Sequence, residues 1–90
     1  MERNIAIFGL IVDERASRAP EVQQVLTRYG AQILSRSGVP APSKNRGIIT
    51  LTMEASEQER EEMHQELQQI SGVQVRSMNF GTPADVFVNQ

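Results

Sequence analysis

The chain has 90 residues and a net charge of −2, with 39% hydrophobic and 22% charged residues. This length and composition predict one soluble globular domain. The absence of cysteine excludes disulfides, thiolate metal ligands and a thiol nucleophile. The apolar run near the start has no basic leader or small-residue cleavage site, so we expect a strand and not a signal peptide. No apolar stretch approaches the roughly 20 residues of a membrane span, and we expect a cytoplasmic protein.

Charge is distributed unevenly along the chain. Residues 1–50 contain seven Lys or Arg and four Asp or Glu, whereas residues 51–90 contain two and seven, which gives +3 and −5. Most of the acidic residues lie between Glu54 and Glu66. Such a run is typical of a solvated helix face; the functional alternative is an acidic surface that meets the basic half of a second copy.

Residues 4–12 predict a first strand, because the run is short and rich in β-branched residues. Alternation divides this strand into two apolar sets: Ile5, Ile7 and Ile11 on one face, and Ala6, Phe8, Leu10 and Val12 on the other. A strand that is apolar on both faces is expected to be covered on both.

The next element is predicted to be an amphipathic helix over residues 20–29. Its apolar stripe has spacing i, i+3, i+4, i+7 and consists of Val22, Val25, Leu26 and Tyr29. Asp13 and Ser17 are candidate N-caps, and Pro20 suits a first helical turn. Gly30 is expected to end the helix in the left-handed conformation.

Two strands are predicted to follow. Residues 31–37 favour a short strand, residues 38–45 a Gly- and Pro-containing loop, and residues 47–54 a third strand. In the third strand, Ile49, Leu51 and Met53 share one face, and Ile48, Thr50 and Thr52 share the other.

A second helix is predicted to begin at Ser56, which forms an S-x-x-E capping box with Glu59. Its apolar positions are Met63, Leu67 and Ile70, and Gly72 is the expected glycine just after it. Residues 73–80 predict a fourth strand. Residues 81–90 form a tail, either an extra strand or an interface segment.

This order of elements predicts an α+β fold of the ferredoxin-like βαββαβ type, formed by residues 1–80. Such a fold is a four-stranded antiparallel sheet with both helices on one face. The other face would then expose the second apolar set of the first strand, and a patch of that kind usually marks an interface. We therefore expect self-association; the alternative is that the tail covers this face.

No residue pattern indicates an enzyme, a metal site or a cofactor. The single histidine, His64, lies in the acidic helix, where a solvated surface position is expected, and the sequence has no Gly-rich phosphate loop. Nucleic-acid binding by this fold class uses aromatic residues on the two central strands, but Phe8 is the only aromatic there and the chain is acidic. Direct nucleic-acid binding is therefore not expected.

Two segments, AQILSRSGVP (31–40) and QQISGVQVRSM (68–78), resemble a family of small ACT-like proteins described as regulators of the iron-only hydrogenase system. The resemblance extends over residues 4–80 in element order. It implies an ACT-type βαββαβ fold, akin to the C-terminal domain of the nickel-responsive repressor, and assembly into dimers or tetramers. It also implies a small effector bound between subunits at the loop after the first strand, here residues 13–20.

The sequence and the resemblance together predict a non-catalytic regulatory protein that self-associates and senses a small molecule or acts through a protein partner. The candidate ligand-binding residues are Asp13, Ser17, Arg36 and Gly38. For Arg36, the alternative is an edge-strand charge that discourages stray pairing. Two other functions stay open: an interaction module without a ligand, and a small enzyme or nucleic-acid binder of the same fold.

Overall fold

The computed structural model of the chain describes residues 3–13, 19–40 and 46–81. Its elements, in chain order, are β1 (Asn4–Asp13), α1 (Ala19–Arg28), β2 (Ile33–Pro40), β3 (Arg46–Ala55), α2 (Glu57–Gln68) and β4 (Val73–Gly81). The four strands form one antiparallel sheet in the order β2-β3-β1-β4. The predicted α+β ferredoxin-like fold is confirmed.

One face of the sheet packs against both helices and forms the core. The alternate residues of β1 and β3 on this face are buried together with the apolar stripes of the helices; the β1 members are Ala6, Phe8, Leu10 and Val12. Burying a large aliphatic or aromatic side chain contributes about 1.5–3 kcal/mol. The burial of these residues confirms the face assignments predicted for the first and third strands.

The start of α2 confirms the predicted capping box. The Ser56 hydroxyl accepts a hydrogen bond from the Glu59 backbone N–H at 3.2 Å, and the Glu59 carboxylate accepts one from the Ser56 backbone N–H at 2.9 Å. The bond from the Ser56 backbone is the main reason that the pKa of Glu59 lies below its usual value. These contacts fix the residue at which the helix begins.

Both glycines that follow the helices differ in part from expectation. Gly72 has φ 84°, as predicted, but it lies three residues beyond the C-cap residue Gln69. Its carbonyl oxygen accepts a hydrogen bond from the Asp13 backbone N–H at 2.8 Å, so the turn ties α2 to the end of β1. Gly30 has no positive φ, and the prediction of a left-handed residue there is wrong. The chain instead leaves α1 through successive tight turns over residues 29–32.

The boundaries of β2 also differ from the prediction. The strand begins at Ile33 and continues to Pro40, so Gly38 lies in a strand and not in a loop. Gly38 pairs with Ile49 and Pro40 with Gly47. Pairing with β3 overrides the local turn preference, and Pro40 is tolerated because β2 is an edge strand. At the other edge, β4 extends one residue into the predicted tail; residues 82–90 lie outside the described part of the chain.

Candidate functional site

An apolar cleft of about 300 Å³ lies between the start of α1 and the end of the sheet where β2 pairs with β3. Most of its described lining is aliphatic or glycine: Val12, Ala19, Val22, Gly38, Gly47 and Ile49 from the helix side, together with Val39 and Ile48, which alternation places on the other face of the sheet. The remaining lining residue, Gln23, contributes a polar side-chain amide. A mainly apolar concave surface with one or two polar groups is the usual form of a small-molecule site.

Arg36 does not line this cleft but contacts a residue that does. It shares the helix-side face of β2 with Gly38, because the paired residues Leu51 and Ile49 both belong to that face of β3. The Arg36 guanidinium donates a hydrogen bond to the side-chain oxygen of Gln23, which lines the cleft. This contact places a cation beside an otherwise apolar cavity.

Two of the four predicted ligand residues therefore meet at one place. Gly38 lines the cleft, and Arg36 reaches it through Gln23. Asp13 follows the lining residue Val12 but pairs with Arg46 on the opposite side of the sheet, and it does not line the cleft. Ser17 lies outside the described residues.

Sequence reasoning missed Gln23 and the second glycine, Gly47. Gln23 belongs to the polar face of an amphipathic helix, and its spacing carries no sign of a contact with a strand. Gly47 opens the third strand in the sequence, and only its pairing with Pro40 in the structure brings it beside Gly38 and Ile49.

The second feature is the sheet face that does not meet the helices, here called the open face. From β1 it contains Ile5, Ile7, Gly9, Ile11 and Asp13; the other strands add Ser35, Ser37, Val39, Arg46, Ile48, Thr50, Thr52, Glu54, Gln74, Arg76 and Met78. The isoleucines of β1 are partly exposed, and Val39 and Met78 are 52% and 57% exposed. The β1 row of the open face is therefore apolar, whereas Thr50 and Arg76 flank Gly9 in the neighbouring strands.

Charges on the open face lie mainly at its two ends. At one end, Arg3 donates a hydrogen bond to the carbonyl oxygen of Glu54 at 2.6 Å and lies 3.9 Å from its carboxylate. At the other end, Asp13 and Arg46 are paired across β1 and β3. Arg76 is the charge between them, and its guanidinium donates to the carbonyl oxygen of Val75 at 2.9 Å. These described charges nearly cancel.

The helix side of the molecule carries a third feature around His64. Its ring centroid lies 6.0 Å from that of Phe8, and it is partly buried, so His64 is less exposed than expected for a solvated surface position. Within the described residues, no group of His, Asp and Glu side chains could hold a metal ion. Phe8 is buried on the helix side, so β1 and β3 present no aromatic ring on the open face for base stacking.

No helix in the described part of the chain is long and apolar enough to cross a membrane.

The fold and its sites define a small α+β domain with an apolar sheet face and an edge cleft. The sequence of residues 4–77 matches the family "TM1266-like: Iron-only hydrogenase system regulator, putative". The chain therefore belongs to this family, and the resemblance to the hydrogenase-system regulators inferred from the two segments is confirmed; its ACT-like character stays a prediction. A search of curated proteins finds no match.

Solved structures agree with this assignment. The uncharacterized protein TM1266 from Thermotoga maritima is 28% identical, with a TM-score of 0.84 over 88% of this chain and 99% of that one. The C-terminal domain of the MgtC protein from Mycobacterium tuberculosis is similar at 14% identity, with a TM-score of 0.67 over 87% and 88%. CPII, a nitrogen regulatory PII-like protein from Thiomonas intermedia K12 bound to ADP, AMP and bicarbonate, has 14% identity and a TM-score of 0.51 over 91% and 96%. The last two similarities concern the fold alone.

Proposed function

We propose that this chain is a non-catalytic regulatory protein of the iron-only hydrogenase system that works as a homo-oligomer and senses a small effector. The regulatory class follows from the family. The main support for self-association is the open face, whose central strand β1 presents three isoleucines away from the core. An apolar patch of this extent favours burial against another protein surface.

The charge pattern favours a second copy as the partner. The charges at the ends of the open face neighbour opposite charges of the same chain, and Arg76 alone leaves little net field. A nucleic acid or an acidic membrane would require a strongly basic surface, and a basic partner an acidic one. The open face is neither strongly basic nor strongly acidic, so the surface that suits it best is the apolar sheet face of a second copy.

The area of the open face is sufficient for a dimer. Strands lie about 4.8 Å apart and advance by about 3.3 Å per residue, so four strands of about eight residues present about 500 Å². Two such faces would bury about 1000 Å², the lower bound for a specific interface.

Sedimentation velocity at micromolar concentration tests this assembly. We expect the wild type to sediment as a dimer or larger, and Ile7→Glu to sediment as a monomer, because it places a charge in the middle of the apolar face. Gln24→Glu adds the same charge on the exposed side of α1 and should leave the assembly unchanged. A monomeric wild type, or an Ile7→Glu variant that assembles like the wild type, would refute the proposal.

The effector is proposed to bind in the cleft. Its aliphatic lining fits a small molecule with an apolar body, and Arg36, on leaving Gln23, supplies a cation for an anionic group at one end. Such a molecule regulates the protein only if it binds one assembly state more tightly than another. Ser17 stays in the proposal as a contribution from the segment after β1, whereas Asp13 ends β1 on the opposite side of the sheet.

A thermal-shift screen with amino acids, short carboxylic acids and nucleotides tests the cleft. We expect one of these classes to raise the unfolding temperature of the wild type and to lose most of this effect with Arg36→Ala. Arg28→Ala removes a cation from the other end of α1 and should preserve the response, relative to its own baseline. A flat response across the panel would favour the interaction module without a ligand.

A further inference from the structure

Gly9 lies at the centre of the open face, in the middle of the central strand β1. It pairs regularly with Thr50 on one side and Arg76 on the other. The register irregularities of the sheet lie elsewhere, between Ile5 and Ala6 and between Ile33 and Ser35. Gly9 therefore does not serve a bulge.

Nothing inside the described chain requires glycine at this position. Its φ is not positive, and a Cβ built on its backbone would meet no atom within 4 Å. Glycine weakens a strand interior, because it loses more conformational entropy on folding and offers no side chain for packing. We therefore look for a compensating interaction with another molecule, because glycine in a strand often marks a place where another molecule approaches closely.

The missing side chain leaves a depression, here called the Gly9 notch. Ile7 and Ile11 border it along β1, and Thr50 and Arg76 border it across the sheet. Packed sheets lie about 10 Å apart and interdigitate their side chains, so a depression in one face accepts a projection from the other.

We propose that the Gly9 notch receives an isoleucine side chain from β1 of a second copy; this inference rests on the self-association proposed above. The large β1 side chains on the open face are isoleucines, so a pair of sheets packed across their central strands brings isoleucine against glycine. In a two-fold interface the contact occurs twice, once in each direction. The notch then sets how closely and in what register the two sheets pack.

Filling the notch tests the inference. Gly9→Val places a β-branched side chain where the monomer has open space, so the monomer should fold with an unchanged or higher unfolding midpoint. The dissociation constant of the dimer should rise by about tenfold or more, because the new side chain occupies the space of the partner's isoleucine. Gly9→Ala should have a smaller effect in the same direction. Gln24→Ala changes an exposed residue of α1, away from the open face, and should leave the dissociation constant unchanged.

The outcomes separate this inference from the proposed function. A dimeric wild type that is weakened by Gly9→Val, with intact folding, supports the notch. A dimeric wild type that Gly9→Val leaves unchanged or tightens overturns the notch and leaves self-association standing. A monomeric wild type overturns both. If Gly9→Val does not fold, Gly9→Ala decides by the same comparison, since its single methyl group meets no atom of its own chain.

Discussion

Tyr29 joins the two helices through a carboxylate that it shares with Arg28. Its hydroxyl donates a hydrogen bond to one oxygen of Glu66 at 2.8 Å, and Arg28 donates to the other oxygen at 2.8 Å. Burial, followed by the hydrogen bond and the negative charge of Glu66, raises the pKa of Tyr29 to about 12. The neutral hydroxyl is thus the form that stabilises the folded chain.

This raised pKa predicts a loss of stability at alkaline pH. In the unfolded chain tyrosine loses its proton near pH 10. The contribution of Tyr29 is therefore complete below about pH 10 and is lost as pH rises through the folded value of about 12. Urea unfolding of the wild type and Tyr29→Phe between pH 7 and 12 measures it. At pH 7 the variant should be less stable by about 1 kcal/mol, the usual contribution of one hydrogen bond.

The difference between the two proteins should shrink above pH 10, because the phenylalanine variant has no hydroxyl to titrate while all other groups are common to both. A difference that stays constant up to pH 12 would contradict the assigned contact with Glu66.

At the scale of elements, the turn between α2 and β4 depends on Gly72. Its φ of 84° is unfavourable for a side chain with a Cβ, by about 1–2 kcal/mol. We expect Gly72→Ala to lower the free energy of unfolding by about that amount, as measured by chemical denaturation. Gly38→Ala is the matched control, because φ there is not positive and the added Cβ would lie 3.9 Å from its nearest contact. Equal losses in the two variants would show that the backbone conformation of Gly72 is not the cause.

The elements themselves were predictable where one segment alone determines them. Alternation in β1, the stripe of α1 and the capping box at Ser56 depend on local spacing, and each agrees with the structure. The end of β2 was not predictable, because Gly38 and Pro40 favour a turn locally and only pairing with β3 extends the strand. The turn at Gly30 also differs, since the chain reaches β2 without a left-handed residue.

The candidate site shows the same division. Arg36 and Gly38 were proposed as ligand residues because a charge and a glycine near a strand end are visible in one segment. Gln23 was not found, because its contact with Arg36 joins two elements 13 residues apart along the chain. The apolar open face was predictable, since alternation fixes both faces of β1. The absence of a contact at Gly9, by contrast, can be recognised only when neighbouring strands are in place.

At the scale of the whole molecule, two kinds of self-association are possible, and they differ in their response to salt. One is contact between the acidic run Glu54–Glu66 of one copy and the basic half of another. Four of the six carboxylates of this run make side-chain contacts within the described chain: Glu54 with Arg3, Glu59 with Ser56 and Gln32, Glu62 with Gln58, and Glu66 with Arg28 and Tyr29. The other is packing of two open faces, which removes apolar area from water.

We expect the open-face assembly, and therefore a weak dependence on ionic strength. Salt screens exposed charges with a Debye length of about 10 Å at 0.1 M and about 3 Å at 1 M, whereas apolar burial does not weaken with salt. Sedimentation equilibrium in 0.05 M and 0.5 M sodium chloride should give dissociation constants within about threefold of each other. Calorimetric dilution should also show a negative heat-capacity change on association, as expected for buried apolar area. A dissociation constant that rises by about tenfold or more with salt would instead assign the contact to the charged halves.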